Sequence, residues 1–224
     1  EIDMIEFTDV TKSYSVGTRA LKGVTMQIED GEFAFLVGPS GSGKSTIIKL
    51  LMRFYDPTEG EIFCNGRNIK EYNLQKYRAL FASAFQDCRI LSLTVAENVL
   101  MRRVKEDERS KVEEALKLAD VYDKVMSLAN GMDTILTREF ADDGAVLSGG
   151  EFQKIGVARA FVRECPIKIF DEPSSALDPI SEYKLFDNIL KSSKEKTVLF
   201  ISHRLSSVQN ADWVLMLEHG QVIE

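Results

Sequence analysis

GPSGSGKST, residues 38–46, is the stretch on which the reading of this chain turns. A short apolar run, FAFLV (33–37), leads into it, and IIKLLMRF (47–54) follows with the aliphatic spacing of a buried helix. Strand, glycine-rich loop and helix in that order form the setting of a P-loop, G-x-x-x-x-G-K-[ST], filled here by Gly38, Gly43, Lys44 and Ser45. Glycines let a loop turn its N–H groups inward, and a helix N-terminus adds partial positive charge. The loop is therefore expected to cradle a polyphosphate, with Lys44 reaching the β and γ phosphates and the Ser45 hydroxyl holding Mg²⁺.

Working outward, 224 residues suit one large domain or one domain with a sub-lobe, and 44% hydrophobic residues suffice for a substantial core. A net charge of −7 and a pI near 5.1 disfavour nucleic acid as the main partner, because backbone binding relies on clustered Lys and Arg. Cys64, Cys88 and Cys165 have no C-x-x-C spacing and read as free thiols in a reducing compartment, with no metal site of their own. No apolar run approaches the ~20 residues of a membrane helix, and the charged start is no signal peptide. The expected location is cytosolic.

In chain order, IEFTDV (5–10) and VTMQIED (24–30) alternate as strands, with Ile5 and Phe7 pointing one way in the first and Val24, Met26 and Ile28 sharing a face of the second. Tyr14 is a lone aromatic in the polar loop between them; such a ring either half-buries against the fold or stacks on a base. Pro57 and Gly60 are expected to stop the helix after the loop. Asn65-Gly66 signals a hairpin, and YRALFASAFQD (77–87) reads as a strand ending in Gln86-Asp87. From Leu93 to about Ala129 the pattern is helical, with Val112, Leu116 and Ala119 on one face, and it interrupts an otherwise α/β order as a separate lobe. LSGGE (147–151) places Ser148 and two glycines before a helix, a second anion-binding helix terminus. The apolar strand IKIF (167–170) ends in Asp171-Glu172, whose side chains diverge, so the first can face a metal and the second a reacting water. TVLFISH (197–203) is an apolar strand ending in Ser202-His203, and WVLMLEHGQVIE (213–224) forms two strands around His219-Gly220. The fold class expected is α/β: a P-loop NTPase core with a mainly parallel sheet, an N-terminal antiparallel β subdomain and an inserted α-helical subdomain. The β subdomain and core are expected to span 1–86 and 166–224, and the helical subdomain 87–165.

At LSGGE the chain resembles, over essentially all its length, the nucleotide-binding domain of ATP-binding cassette (ABC) transporters, whose core is RecA-like. The resemblance implies ATP and Mg²⁺ as cofactors and ATP hydrolysis as the reaction. Tyr14 is similar to the aromatic that stacks on adenine. Gly38, Pro39, Ser40, Gly41, Ser42, Gly43, Lys44, Ser45 and Thr46 match the Walker A contacts to phosphate and Mg²⁺. Gln86 matches the Q-loop glutamine, which approaches Mg²⁺ and links the lobes. Ser148, Gly149 and Gly150 match the signature that closes over the γ-phosphate held by a second protomer. Asp171 matches the Walker B aspartate, a metal ligand, and Glu172 the carboxylate that polarises water. Ser175, Ala176, Leu177 and Asp178 match the D-loop at the protomer interface, and His203 the switch histidine, whereas His219 keeps a structural reading. Lys168 interrupts a strand that is normally apolar, so it is expected either to snorkel or to mark a less buried strand. Lys154 stands where Arg is usual, without touching the chemistry.

Partners follow from the same resemblance: a second nucleotide-binding domain, identical or not, and a transmembrane domain fused N-terminally, with the chain on the cytoplasmic face of the membrane. A chain that opens at a strand and stops at GQVIE is expected of a domain cut from a longer polypeptide. LANGMDTILTREFADDG (128–144) resembles exporters through Leu128, Gly131, Asp133, Thr134, Glu139 and Gly144, although Ala141 and Asp142 stand where Gly-Glu is usual. FISHRLSSVQNAD (200–212) also reads as an exporter, while DEPSSALDP and LSGGE are spelled as importers often spell them. An importer subunit is the alternative. A DNA-maintenance ATPase is the more distant one, since such proteins separate the two motifs with long coiled coils that are absent here.

Overall fold

The computed structural model describes residues 4–15, 17–140, 144–202 and 211–223. It divides into two compact units, the first being Glu1–Phe81, Cys165–Asp171 and Ser193–Glu224, the second Ala82–Glu164 and Glu172–Ser192. Ten strands are described: β1 (Met4–Ser13), β2 (Arg19–Glu29), β3 (Phe33–Val37), β4 (Glu59–Cys64), β5 (Arg67–Asn68), β6 (Phe81–Ala84), β7 (Ile167–Asp171), β8 (Thr197–Ile201), β9 (Trp213–Glu218) and β10 (Gln221–Val222).

The first unit holds an antiparallel sheet in the order β2-β1-β4-β5. Its alternation is the one read from sequence: Ile5 lies opposite Ile28 and Phe7 opposite Met26, all four buried. At Asn65-Gly66 both residues have positive φ, 54° and 67°, and Cys64 pairs with Arg67 across them. That is the two-residue type I′ turn, whose twist matches the strands it joins.

The other sheet runs β10-β9-β3-β8-β7 within this unit. β3 is parallel to β8 and to β9, β7 is parallel to β8, and only β10 is antiparallel, to β9. Its central strands β3, β7 and β8 are buried at every residue, as parallel strands covered on both faces must be. On one face Phe35 faces Phe200 at 4.8 Å between ring centroids, and Phe170 lies 6.2 Å from Phe200 on the other side. One rung further on, Leu36 pairs with Ile201 and Ile201 with Asp171. Two strand spacings of about 4.8 Å put Asp171 roughly 10 Å from Leu36 along that rung.

The end of one helix and the extent of one strand need correction. α1 (Lys44–Leu51) ends well before Pro57 and Gly60. Arg53 takes the left-handed conformation, φ 55°, while Phe54 N–H donates to Lys49 O at 2.8 Å and Arg53 N–H to Leu50 O at 2.9 Å. This is a Schellman stop with arginine in the place glycine usually fills, so no breaker residue announces it. YRALFASAFQD is not one strand, because Tyr77 and Arg78 end α2 (Leu74–Arg78) and the strand is confined to β6. Asn73 caps α2 by accepting from Lys76 N–H, and the buried Tyr77 hydroxyl donates to Leu51 O at 2.7 Å.

The second unit carries α3 (Val95–Leu100), α4 (Arg109–Leu118), α5 (Tyr122–Met126), α6 (Gly149–Phe161) and α7 (Pro179–Ser192). Val112, Leu116 and Ala119 are buried as one face. The helical run expected from Leu93 to Ala129 is broken at Met101 and Asp120, which have φ of 56° and 55°. Lys154 on α6 reaches Asp120 at 2.6 Å and donates to its carbonyl at 3.0 Å, tying the α4–α5 turn to α6.

Lys168 neither snorkels nor marks an exposed strand; it is 3% exposed within a fully buried β7. Burial, and secondarily the Lys196 charge, pull its ammonium down from the ordinary lysine range to about 8. The unfolded chain therefore binds more protons than the folded one between pH 8 and 10.5, and stability rises with pH across that window. Lys168→Met should remove the rise and stabilise the protein at pH 7 by about 1–3 kcal/mol, read from denaturant unfolding at pH 7 and pH 10.

Candidate functional site

In the first unit, β3 delivers the chain to Gly38 at the C-terminal edge of the parallel sheet, and α1 begins at Lys44. Gly38 has φ 149°, and a Cβ there would lie 2.2 Å from Leu217 O on β9. The loop thus sits against the sheet as only glycine allows. Gly220 N–H donates to Ser42 O at 3.0 Å from behind. Lys44 is buried, and its ammonium donates to Gly38 O and Pro39 O at 2.5 and 2.9 Å. Ser42 Oγ is buried without a hydrogen-bond partner. Ser40, Gly41 and Ser45 are exposed, while Thr46 and Gly43 are half-buried. A buried ammonium, an unsatisfied hydroxyl and the N-terminus of an eight-residue helix on one loop suit a polyphosphate and a hard cation beside it.

Asp171 ends β7 at the same edge and is 7% exposed. Tyr14 is half-buried in a turn closed by Tyr14 N–H on Thr18 O at 3.0 Å. Its ring meets Tyr55 edge-to-face at 5.6 Å, and the Lys12 ammonium lies 5.6 Å from its centroid. The side chain is thus packed on one side and accessible on another.

In the second unit, Ser148 is the N-cap of α6 and forms a capping box with Glu151: Glu151 N–H donates to Ser148 Oγ at 3.3 Å, and Ser148 N–H to the Glu151 carboxylate at 2.7 Å. Burial acts to raise the Glu151 carboxyl, but the Ser148 hydrogen bonds and Lys124 outweigh it and hold it below the ordinary range. Ser148 and Gly149 are exposed at the tip. A Cβ on Gly150 would come within 3.0 Å of Ala176 O, so α6 packs closely on the segment after Glu172. Glu172 is half-buried with φ 51°. Asp178 caps α7 by accepting from Ile180 and Ser181 N–H at 3.0 and 3.1 Å, and the Ser181 hydroxyl, followed by the Ser181 N–H, holds its carboxyl below the ordinary range. Gln86 is exposed just beyond β6. His203, Ala141 and Asp142 lie outside the described residues, as does most of the 200–212 exporter-like segment.

The ABC transporter model matches residues 21–175, which include the phosphate loop, the Ser148 terminus and Asp171-Glu172. The chain belongs to the ABC transporter family. Among curated ABC relatives, the ATP-dependent lipid A-core flippase of Blochmanniella pennsylvanica is 41% identical over 98% of the chain, and that of Escherichia coli K12 is 39% identical over the same share. The chain spans 37% of each of these relatives. A solved ABC structure, a bacterial Atm1-family exporter with ATP bound, superposes over 100% of the chain with a TM-score of 0.90 at 33% identity, and 38% of that protein is covered.

Sequence reasoning missed two residues of the ABC signature helix. Gln153, three positions after Gly150 and so on the same helix face, donates to Glu172 O at 2.8 Å and accepts from Ala176 N–H at 2.9 Å. Arg159 donates to Cys88 Sγ at 2.7 Å, Arg89 O at 2.9 Å and Asn98 O at 2.8 Å, gripping the segment just after Gln86. Burial raises the Cys88 thiol against the opposing Arg159 charge, which disfavours the thiolate. All three cysteines are free.

Two glycines of the loop separate strain from collision. Gly41→Ala meets nothing within 4 Å and should lose only the cost of a left-handed alanine, about 1–2 kcal/mol. Gly38→Ala adds the clash with Leu217 O and should lose clearly more, with weaker nucleotide binding, measured by thermal unfolding and equilibrium binding.

Proposed function

We propose that this chain is the ATP-hydrolysing nucleotide-binding domain of an exporter, working on the cytoplasmic face of a membrane beside a transmembrane domain. The observation that carries the reading is the loop of Gly38–Lys44 standing with Asp171 on one edge of a parallel sheet. The names of its relatives, a flippase and an exporter, favour outward transport over import.

Tyr14 would stack on the adenine, and Gly38–Thr46 would hold the phosphates through backbone N–H groups, with the Lys44 ammonium offsetting their charge. Ser45, Gln86 and Asp171 would hold Mg²⁺, which supplies charge neutralisation on the β and γ phosphates. Glu172 would accept a proton from the attacking water as it approaches the γ-phosphate, and His203 would contact that phosphate. Catalysis is then mostly positioning and charge stabilisation.

In this reading one copy of the chain alone would leave the far side of the γ-phosphate open. A second copy, placed head-to-tail, would bring Ser148, Gly149 and Gly150 there, with Asp178 and its neighbours at the seam. ATP would join the two copies and hydrolysis would release them, driving the membrane partner between two states.

Lys44→Ala should lose MgATP binding in calorimetry. Glu172→Gln should keep ATP affinity, lose turnover by about 10²-fold or more, and accumulate an ATP-dependent dimer in sedimentation. Ser148→Arg should block that dimer. A Glu172→Gln protein that binds ATP normally yet stays monomeric at saturating ATP would remove the shared-site reading.

A further inference from the structure

Glu172 is one of few non-glycine residues in the structure with a left-handed backbone, at φ 51°. Such a conformation is uncommon for a side chain of this size and persists where its surroundings over-determine it. What holds it is visible within the second unit. The Glu172 carbonyl accepts from Ser175 N–H at 3.3 Å, the closing bond of a turn, and from the Gln153 side-chain amide at 2.8 Å. The same Gln153 amide nitrogen donates to Ser175 Oγ at 2.9 Å, and the amide oxygen accepts from Ala176 N–H at 2.9 Å. One side chain therefore grips the 172–176 turn at three points, using both donors and its acceptor. Gln153 sits on α6, whose N-terminus is Ser148, and Gly150 on the same helix lies against Ala176.

We propose that Gln153 is a positioning residue that fixes the backbone of Glu172, so that the helix presenting Ser148 to one nucleotide also sets the carboxylate that serves another. This rests on the hydrolytic reading of Glu172 given above. The turn and the Ser148 terminus move as one body. A change at Ser148 is thereby felt at Glu172 without passing through the phosphate loop, which belongs to the other unit.

The test compares Gln153→Ala and Gln153→Glu in the intact protein. Gln153→Glu keeps the size and the acceptor for Ala176 N–H but loses the donor to Glu172 O. Both variants should lower kcat by about tenfold to a hundredfold, the cost of a small misplacement of a reacting group. ATP affinity should hold, because the loop that binds the phosphates is untouched, and the thermal midpoint should fall only by the cost of the lost hydrogen bonds. In a Glu172→Gln background, Gln153→Ala should lower the residual turnover no further. Gln153→Glu turning over at the parental rate would overturn the proposal while leaving the hydrolytic reading in place. So would additive losses in the double variant, or a loss of ATP affinity and thermal midpoint that matches the loss of kcat, which would make Gln153 a scaffold residue only. Glu172→Gln turning over at the parental rate would overturn the hydrolytic reading itself, and the proposal with it.

Discussion

The parallel register of β3, β8 and β7 is the constraint from which the site follows. Rungs that pair Phe35 with Phe200, and Phe200 with Phe170, fix how far each strand runs before it leaves the sheet. Two strands that end within one rung of each other send their following residues off the same edge, which is why open α/β sheets gather ligands there. Here that edge receives Gly38 and Asp171. The aromatic faces stacked across the rung bury large areas, so a slip of one residue would turn Phe35 and Phe170 away from Phe200 and carry the loop and the aspartate with them.

The second unit solves a different problem, holding several short loops with one helix. α6 does so with side chains spaced along its length: Ser148 at its tip, Gln153 on the 172–176 turn, Lys154 on Asp120, Arg159 on the Cys88–Arg89 segment. Each of these loops has its own polar backbone, and each is satisfied by a donor from the same rod. Lysine at 154 needs no fork here because its nearest partners are a single carboxylate oxygen and a carbonyl, with the Ser181 hydroxyl further off at 3.5 Å.

Local chemistry made part of this legible. The phosphate loop, the Asn65-Gly66 turn and the Ser148 cap are set by residues within a few positions of each other, so the chain states them outright. What depends on partners far along the chain was hidden. The stop of α1 at Arg53 is supported by its guanidinium reaching Ile69 and Tyr72 carbonyls at 3.2 and 3.1 Å, and no glycine marks it. Tyr77 and Phe81 both bury, so YRALF suited a strand pattern as well as a helix end followed by a strand. Gln153 finds its partners 19 to 23 residues away, and a single glutamine in a helix carries no motif. Lys168 shows the limit of reading burial from polarity, since its strand is buried in spite of it.

The contact of Lys44 with Gly38 O and Pro39 O has a consequence for how a nucleotide is met. Those hydrogen bonds make a ring of residues 38–44, a small macrocycle closed by a charge instead of a covalent bond. The entropy of shaping the ring is spent when the protein folds and is not charged again at association. A phosphate approaching it therefore meets a loop already shaped, and the ammonium that greets the anion is the same latch that holds that shape.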